Sequence, residues 1–358
     1  MQQLPGNKFL LEMPERLLSP DEKPYLDASL PQKINKKSDL LLNFCKLKYI
    51  NGLGISMLVK LSVTARKRKQ DIIAFGLSES HFKLFNLLHL NHAVRMCRDL
   101  REATLITGAD LSSELATIQA APPIDTEYWG MPAARLAIPE FPPEAINLNI
   151  KGRRIVGPVD GFGALWQKRY RLPIVKPGLS PEKITGILKN EFPSFQPEYN
   201  HFYPGSRGIV PGEIIAIDSS TPGGPVSTGV MVLFADKESF TFITPQGHPE
   251  SGWVTFSIER SGDALTAQIL GLARANDPVY ELAFRMVGSE MQIRIWRHVL
   301  ESLAKYLKVP ADVSVEARCI DQGIRWLQTG NIWYNAQART ILSAPVWWVR
   351  KKLRQRRR

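Results

Sequence analysis

Cysteine is scarce. Cys45, Cys97 and Cys319 are the only three in 358 residues, too few and too far apart for a disulfide framework or a zinc site, so a reducing compartment is expected. Long apolar runs are missing too. No stretch of about 18 uncharged apolar residues occurs, so no membrane-spanning helix is expected. Met1–Pro24 lacks the basic-then-apolar pattern of a secretory leader, so the expected placement is cytoplasmic. Metal-ligand spacing is absent. His81, His89 and His92 are irregularly spaced, and no carboxylate completes an i, i+4 pair. Phosphate cradles are absent as well: Gly161-Phe162-Gly163 and Gly223-Gly224 are followed neither by Lys-Ser/Thr nor by a helix start. No metal and no cofactor are expected. Evenly spread positive charge is also lacking. The net charge is +12, but seven basic residues between Arg350 and Arg358 leave only +5 for the rest, so no nucleic-acid surface across the whole fold is implied.

What is present is pattern. Gly229–Phe234, Phe240–Ile243, Trp253–Ile258 and Leu265–Leu272 alternate apolar with polar residues between turn formers, as antiparallel strands do. The period then changes. Ile293, Trp296, Leu300, Leu303 and Leu307 form one stripe opposite Arg294, Arg297, Glu301, Lys305 and Lys308, which predicts a long amphipathic helix. Upstream, Lys168–Val175 and Glu213–Asp218 read as strands. Ser180 with Pro181 reads as a capped helix start whose Ile184, Ile187 and Leu188 face inward. A curved antiparallel sheet holding a C-terminal helix encloses either a cavity or a filled core. Phe234, Phe242, Phe256, Ile258, Ile269, Trp296, Val299 and Leu303 are the candidates to line it.

The N-terminal half reads differently. Met1–Pro31 is Pro-broken and polar. Leu40–Phe44 is a buried strand, and Tyr49–Gly54 turns into a helix from Ile55 to Arg68. Asp71–Phe75 is a strand, Ser78 caps a helix with Phe82, Phe85 and Leu88 inward, and Val94–Cys97 is a last short strand. This is an α/β arrangement with partly parallel pairing. Between the halves, the prolines of residues 121–150 predict an extended, semi-rigid linker on which Tyr128, Trp129 and Phe141 are placed to dock. The expected domains are 25–120, 121–150, 151–310 and a partly helical basic tail, 311–358.

Residues Leu41–Ile55, Asp71–Ser78 and His81–Asn91 resemble a STAS domain, the fold of the anti-sigma-factor antagonists. The resemblance implies a partner-docking turn at Asn51, Gly52, Leu53 and Gly54. In many members that turn carries a phosphorylated serine. Leu53 stands there in this chain, so a phosphoswitch is not expected. Residues Gly161–Leu307 resemble the START-like helix-grip superfamily (SRPBCC). Within it, Gly247-His248-Pro249-Glu250-Ser251-Gly252, with Val210-Pro211-Gly212, Gly288 and Gln292, resembles an uncharacterised family, domain of unknown function nineteen-ninety. The fold class expected is therefore an α/β STAS-like domain plus an α+β helix-grip domain.

The two resemblances imply a non-enzymatic regulatory protein. One domain would dock a protein partner, and the other would bind an apolar small molecule or lipid. The alternative is an enzyme in which His248 and Glu250 act as an acid/base pair. Against that stands the bland reading of the same residues as a turn. His201 is expected in an aromatic loop, and His298 on a solvated helix face. Trp347 and Trp348, followed by Arg350, Lys351, Lys352 and Arg354, fit an anionic membrane surface at the inner membrane. The same charges fit nucleic-acid phosphate less well, or a solvated tail.

Overall fold

The computed structural model describes residues 2–4, 8–21, 24, 39–108, 120–131, 135–137, 144–146, 148–262 and 264–343. The expectations for Phe141 and for the tail residues Trp347, Trp348, Arg350, Lys351, Lys352 and Arg354 lie outside them. The chain divides into two compact units, Met1–Glu127 and Tyr128–Arg358.

The first unit contains β1 (Gln2–Leu4), β2 (Lys8–Glu12), β3 (Arg16–Leu17), β4 (Asp39–Asn43), β5 (Tyr49–Ile50), α1 (Gly52–Lys67), β6 (Ile72–Phe75), α2 (Glu79–Leu87), β7 (Arg95–Met96) and α3 (Leu100–Thr107). Its main sheet runs β1-β2-β4-β6-β7. Only β1 is antiparallel to its neighbour; β2, β4, β6 and β7 pair in parallel. Parallel strands are buried on both faces, which is why β2, β4 and β6 read as apolar runs rather than alternations. The strands β1 and β2 precede the expected domain start at residue 25. Phe9, Leu10 and Leu11 are buried in β2, a run too short to stand out between prolines.

Helix α1 starts three residues before the expected Ile55. Asn51 is its N-cap, and its side chain accepts from the backbone N–H groups of Leu53 (3.0 Å) and Gly54 (3.1 Å), satisfying two of the orphan donors of the first turn. The turn is covered. Arg16–Leu17 pairs in parallel with Tyr49–Ile50, and a Cβ on Gly54 would strike the Leu17 carbonyl. Asn51, Gly52, Leu53 and Gly54 are all buried. The partner-docking expectation is therefore corrected at these residues: the Asn51 side chain caps the helix, and all four are buried and offer no surface. The Ser56 hydroxyl, also buried, donates to the Gly52 carbonyl at 2.8 Å. Ser78 caps α2 as expected, accepting from His81 N–H. Leu84 rather than Phe82 takes the inner position beside Phe85. His81 is buried too, and its Nε2 lies 3.0 Å from both Asp125 carboxylate oxygens.

The second unit contains β8 (Ile155–Val156), β9 (Leu165–Ile174), α4 (Pro181–Glu191), β10 (Asn200–Pro204), β11 (Ile214–Thr221), β12 (Gly224–Ala235), β13 (Ser239–Pro245), β14 (Glu250–Ser261) and β15 (Ala264–Ala275). It continues with α5 (Pro278–Ala283), a π-helical turn (Phe284–Gly288), α6 (Ser289–Leu307), β16 (Ser314–Asp321) and a 3₁₀ helix (Trp326–Tyr334). The sheet runs β10-β11-β12-β13-β14-β15-β9-β16, with β8 added on β13, and every pairing is antiparallel. It is an α+β, helix-grip arrangement. Alternate residues of seven strands, among them Tyr170, Leu172, Phe202, Ile217, Val230, Phe242, Phe256 and Ile269, meet Val299, Leu300, Leu303 and Leu307 of α6 in one core. The period-two and period-3.6 patterns converge there as the sequence requires.

Two features depart from expectation, and a third, the linker, docks through its aromatic residues. His201 lies in β10, a sheet-edge strand, not in a loop. Residues beyond 310 are not all tail, since β16 pairs with β9 over Ser314–Asp321. The described part of the linker is fastened down. Trp129 packs edge-on against Phe234 with ring centroids 4.8 Å apart, and the Gly130 N–H donates to the Leu233 carbonyl at 2.7 Å. Asn149 Nδ2 donates to Ser227 and Ala336 carbonyls.

Candidate functional site

The groove between sheet and α6 is filled at one end and open at the other. At the filled end Phe192, at the C-terminus of α4, stacks edge-on against Phe202, Phe240, Phe242 and Phe256. Phe256, Ile258, Ile269, Val299 and Leu303 belong to this packed core. They do not line the cavity and are corrected in that role. Phe234 is corrected more fully. A bulge between Val232 and Phe234 shifts the register of β12, and Phe234 carries Tyr128 and Trp129 instead, outside the groove. Of the eight candidates, Phe242 and Trp296 line the open space.

That space is a cavity of about 460 Å³. Its walls come from β10–β15, from α5 and the π-helical turn (Tyr280, Phe284, Met286), and from the first half of α6 (Met291, Ile295, Trp296). They are mainly apolar. Hydroxyl and amide side chains such as Asn200, Ser219, Thr228 and Gln337 are spread along the walls, but the imidazole and the carboxyl group stand together where β14 begins: His248 and Glu250, with Gln292 from α6. The turn itself explains their placement. Gly247 takes φ +92°, where a side chain is strained, and a Cβ there would strike the Tyr334 carbonyl. Pro249 closes the turn, and its carbonyl accepts from Asn276 N–H.

His248 and Glu250 are not bonded through their functional groups. His248 Nδ1 lies 3.0 Å from the Glu250 backbone nitrogen. The Glu250 carbonyl oxygen lies 3.1 Å from the same Nδ1, but the Glu250 N–H is directed at Nδ1 and can only donate, so Nδ1 is assigned as the acceptor and the ring proton to Nε2. Burial, the larger effect, lowers the His248 pKa to about 4 against an opposing backbone contact with Glu250. The Glu250 carboxylate accepts from Gln292 Nε2 at 2.8 and 2.7 Å, and Gln292 Oε1 accepts from Lys168 Nζ at 2.5 Å. Burial raises the Glu250 pKa, opposed by the Lys168 charge and the Gln292 bond. The same burial lowers that of Lys168. Tyr170, pushed up by burial and then by Glu250, keeps a buried hydroxyl without a partner. Two further donors are buried without partners, the Thr228 hydroxyl and the Trp296 indole N–H, both on residues of the cavity wall.

The arrangement presents one neutral N–H donor, one carboxyl group of raised pKa and an apolar enclosure. Among the described residues no group of three or more His, Cys, Asp or Glu is placed to hold a metal ion. Lys168, Gln292 and Tyr170 were absent from the site expected from sequence, because partners on β9 and α6, far along the chain from Glu250, leave no local signal. His298 is exposed, as expected for the polar face of α6.

The His248 ring is predicted to stay neutral down to about pH 4. The unfolded chain takes up this proton near pH 6.5, the folded one only near 4, so stability falls as pH drops through that window. Each unit of separation is worth about 1.4 kcal/mol. Nitrogen-15 NMR of the ring checks it: a midpoint near 6.5 would place His248 in solvent, and His248→Asn should flatten the acid limb of stability.

No family model matches the chain, and no curated protein matches it. Among solved structures, similarity covers only part of the chain. The di-domain ARO/CYC StfQ of the steffimycin biosynthetic pathway is 12% identical over 40% of this chain and 52% of its own, with a TM-score of 0.29. The protein Ms6760 from Mycobacterium smegmatis is 13% identical over 40% of this chain and 90% of its own, at 0.30. A START superfamily protein from Mycobacterium smegmatis is 18% identical over 40% of this chain and 99% of its own, at 0.29. This chain thus spans about half the length of the first of these. At such identities and TM-scores the likeness carries no statement about activity, and the cavity has to be read from its own walls.

Proposed function

We propose that the second unit binds one apolar small molecule or lipid chain, with its polar end at His248 Nε2, Glu250 and Gln292. The observation that carries this is the cavity: about 460 Å³ of mostly apolar enclosure with its acid and imidazole at one place, the size and make-up of a small-molecule site. A ligand hydroxyl or carbonyl could accept from Nε2, and a hydroxyl could donate to the carboxylate.

The enzyme reading, with His248 and Glu250 as an acid/base pair, has less support. His248 Nδ1 is held by backbone, and Glu250 by Gln292, so neither group activates the other. What favours it is the raised pKa of Glu250, since a carboxyl group tuned upward in a cavity suits general acid work. For the first unit, a STAS-like regulatory domain remains our reading. Its support is the sheet of one antiparallel and three parallel pairings with α1 following β5. With Leu53 in the turn and the Ser56 hydroxyl tied to Gly52, this reading has no phosphoswitch.

The test uses the full chain and the neutral fluorophore N-phenyl-1-naphthylamine. Gly271 lines the cavity and has open space where a side chain would begin, so Gly271→Phe should fill it without disturbing the sheet. Binding by the native chain, with at least tenfold weaker binding by Gly271→Phe, is expected. Equal binding by both, or none by the native chain, would overturn the proposal. Mass spectrometry of gently extracted protein then gives the ligand class.

A further inference from the structure

The chain changes character after Asp321. Residues 322–358 contain no Asp or Glu. They hold Arg325, Arg339 and the seven basic residues between 350 and 358. Trp326, Trp333, Trp347 and Trp348 are four of the eight tryptophans. An acid-free run of this length, basic and rich in indole, is not what solubility alone requires, because surface charge of both signs serves that better.

The structure adds an observation that the sequence does not contain. The 3₁₀ helix Trp326–Tyr334 turns its apolar residues outward. At three residues per turn, positions three apart share a face. Leu327, Gly330 and Trp333 form one such face; Leu327 is 99% and Trp333 80% exposed. Trp326, 74% exposed, begins the next face, with Thr329 and Ile332. Asn331, on the third, is buried, its Nδ2 donating to the Asp160 and Asn276 carbonyls at 3.0 and 2.9 Å. The helix is thus fixed to the domain by polar bonds on one side, and its indole and leucine side chains face outward. The chain continues through helix 336–343, where Leu342 is 79% exposed. Seven of the exposed large apolar residues fall between Trp326 and Leu342; the others are scattered from Leu18 to Val315. Contiguous apolar exposure marks an interaction surface, whereas single residues do not.

We propose that the 3₁₀ helix is a docking face for an anionic lipid bilayer, with the basic C-terminal run as its electrostatic partner. Chemistry selects this occupant over others. Indole favours the headgroup level, and leucine reaches into the acyl boundary beside it. A nucleic acid would use the tryptophans for stacking but has no use for Leu327 and Leu342, whereas phosphate headgroups use the arginines and lysines equally well. Each basic residue near such a surface adds to the attraction. Neither part is enough by itself, because charge is screened at physiological salt and a few exposed side chains give only marginal anchoring. Among the described residues no helix is long and apolar enough to cross a membrane, so the contact proposed is with the surface. It is independent of what the cavity holds.

Vesicle co-sedimentation of the full chain tests it, with phosphatidylcholine vesicles alone or containing 30% phosphatidylglycerol (about 0.1 M salt). The native chain should sediment with the anionic vesicles and at least tenfold less with the neutral ones. The triple variant Trp326→Ser, Leu327→Ser, Trp333→Ser should bind anionic vesicles at least tenfold more weakly. The substituted side chains are exposed, and Trp326 also packs edge-on against Phe162 with ring centroids 5.5 Å apart, so the variant's circular dichroism should match the native chain while its thermal midpoint falls slightly. A chain ending at Ser343 should lose binding similarly. If the triple variant fails to fold, Leu327→Asp alone, at the most exposed position, should still weaken binding several-fold. A native chain left in the supernatant, or the folded triple variant (failing that, Leu327→Asp) binding as well as native, would overturn the proposal. So would equal binding to an RNA oligonucleotide and loss of vesicle binding in its presence.

Discussion

Phe192→Ala should destabilise the second unit by about 3–5 kcal/mol, as removal of a buried aromatic ring does, and by more than any single substitution in the cavity wall. Phe192 is 2% exposed, and its ring centroid lies 5.2–5.9 Å from those of Phe202, Phe240, Phe242 and Phe256, each nearly perpendicular to it. Edge-to-face pairs add about 0.5–1.5 kcal/mol each beyond area, though four sharing one ring do not add independently. Trp296→Ala is the control. That ring is half-buried, makes one close aromatic contact, with Phe256 at 5.4 Å, and keeps an N–H without an acceptor. Its removal enlarges a space that already exists, so the cost should stay under about 2 kcal/mol while fluorophore binding weakens. Urea denaturation of both variants measures the difference. Equal costs would mean that the open end of the groove is packed as tightly as the closed end.

This contrast also shows what could be read in advance. Alternation identified β11 to β15, and the 3.6 period identified α6, because each pattern reports which residues share a face. Neither reports how far along the groove the filling extends. Phe256, Ile269 and Leu303 share a face with Phe242 and Trp296, yet Phe192 from α4 fills the groove only as far as Phe242, which packs on it and borders the open space. Phe234 was misplaced because a one-residue bulge reverses every side chain after it, and nothing local in Leu233-Phe234-Ala235 announces a bulge.

The polar site was half legible. The turn residues Gly247, Pro249 and Gly252 set His248 and Glu250 apart as a unit, and both line the cavity. Gln292 was set beside the turn by family resemblance alone, and neither its bond to Glu250 nor Lys168 was visible. Gln292 is 42 residues and Lys168 over 80 residues from Glu250, and a hydrogen bond of that range has no periodic signature. The strands β2 and β16 were passed over for a different reason. Strand β2 has five residues and β16 is largely exposed, and their neighbours supply the pairing: β2 pairs with β4 in parallel, and β16 extends β9 at the sheet edge. Tertiary context rather than local propensity makes them strands.

Asp321→Ala should cost about 3–5 kcal/mol, and more than Arg274→Met at the other end of the same ion pair. Arg274 lies on the outer face of β15 with a fully buried side chain. Its Nη1 donates to the Gly163 carbonyl at 2.7 Å and the Gly323 carbonyl at 2.9 Å, and its Nη2 to the Asp321 carboxylate at 2.5 Å. These bonds tie the loop before β9 and the end of β16 to the sheet. Gly161 lets the loop lie that close, since a Cβ there would meet the Arg274 Cβ at 2.8 Å. The two partners differ in access to water: the Asp321 side chain is 25% exposed and that of Arg274 1%. Without the arginine, Asp321 can turn to solvent, methionine fills most of the volume, and two carbonyls lose a donor. Without the aspartate, a guanidinium charge stays buried, still donating to the Gly163 and Gly323 carbonyls but with its carboxylate gone. The expected order of stability is therefore native, Arg274→Met, Asp321→Ala, with the double variant close to Arg274→Met because its buried charge has gone. Thermal and urea denaturation of the four proteins form a double-mutant cycle. If Arg274→Met proves the more damaging, the carbonyl bonds rather than the buried charge hold β16 and the loop in place.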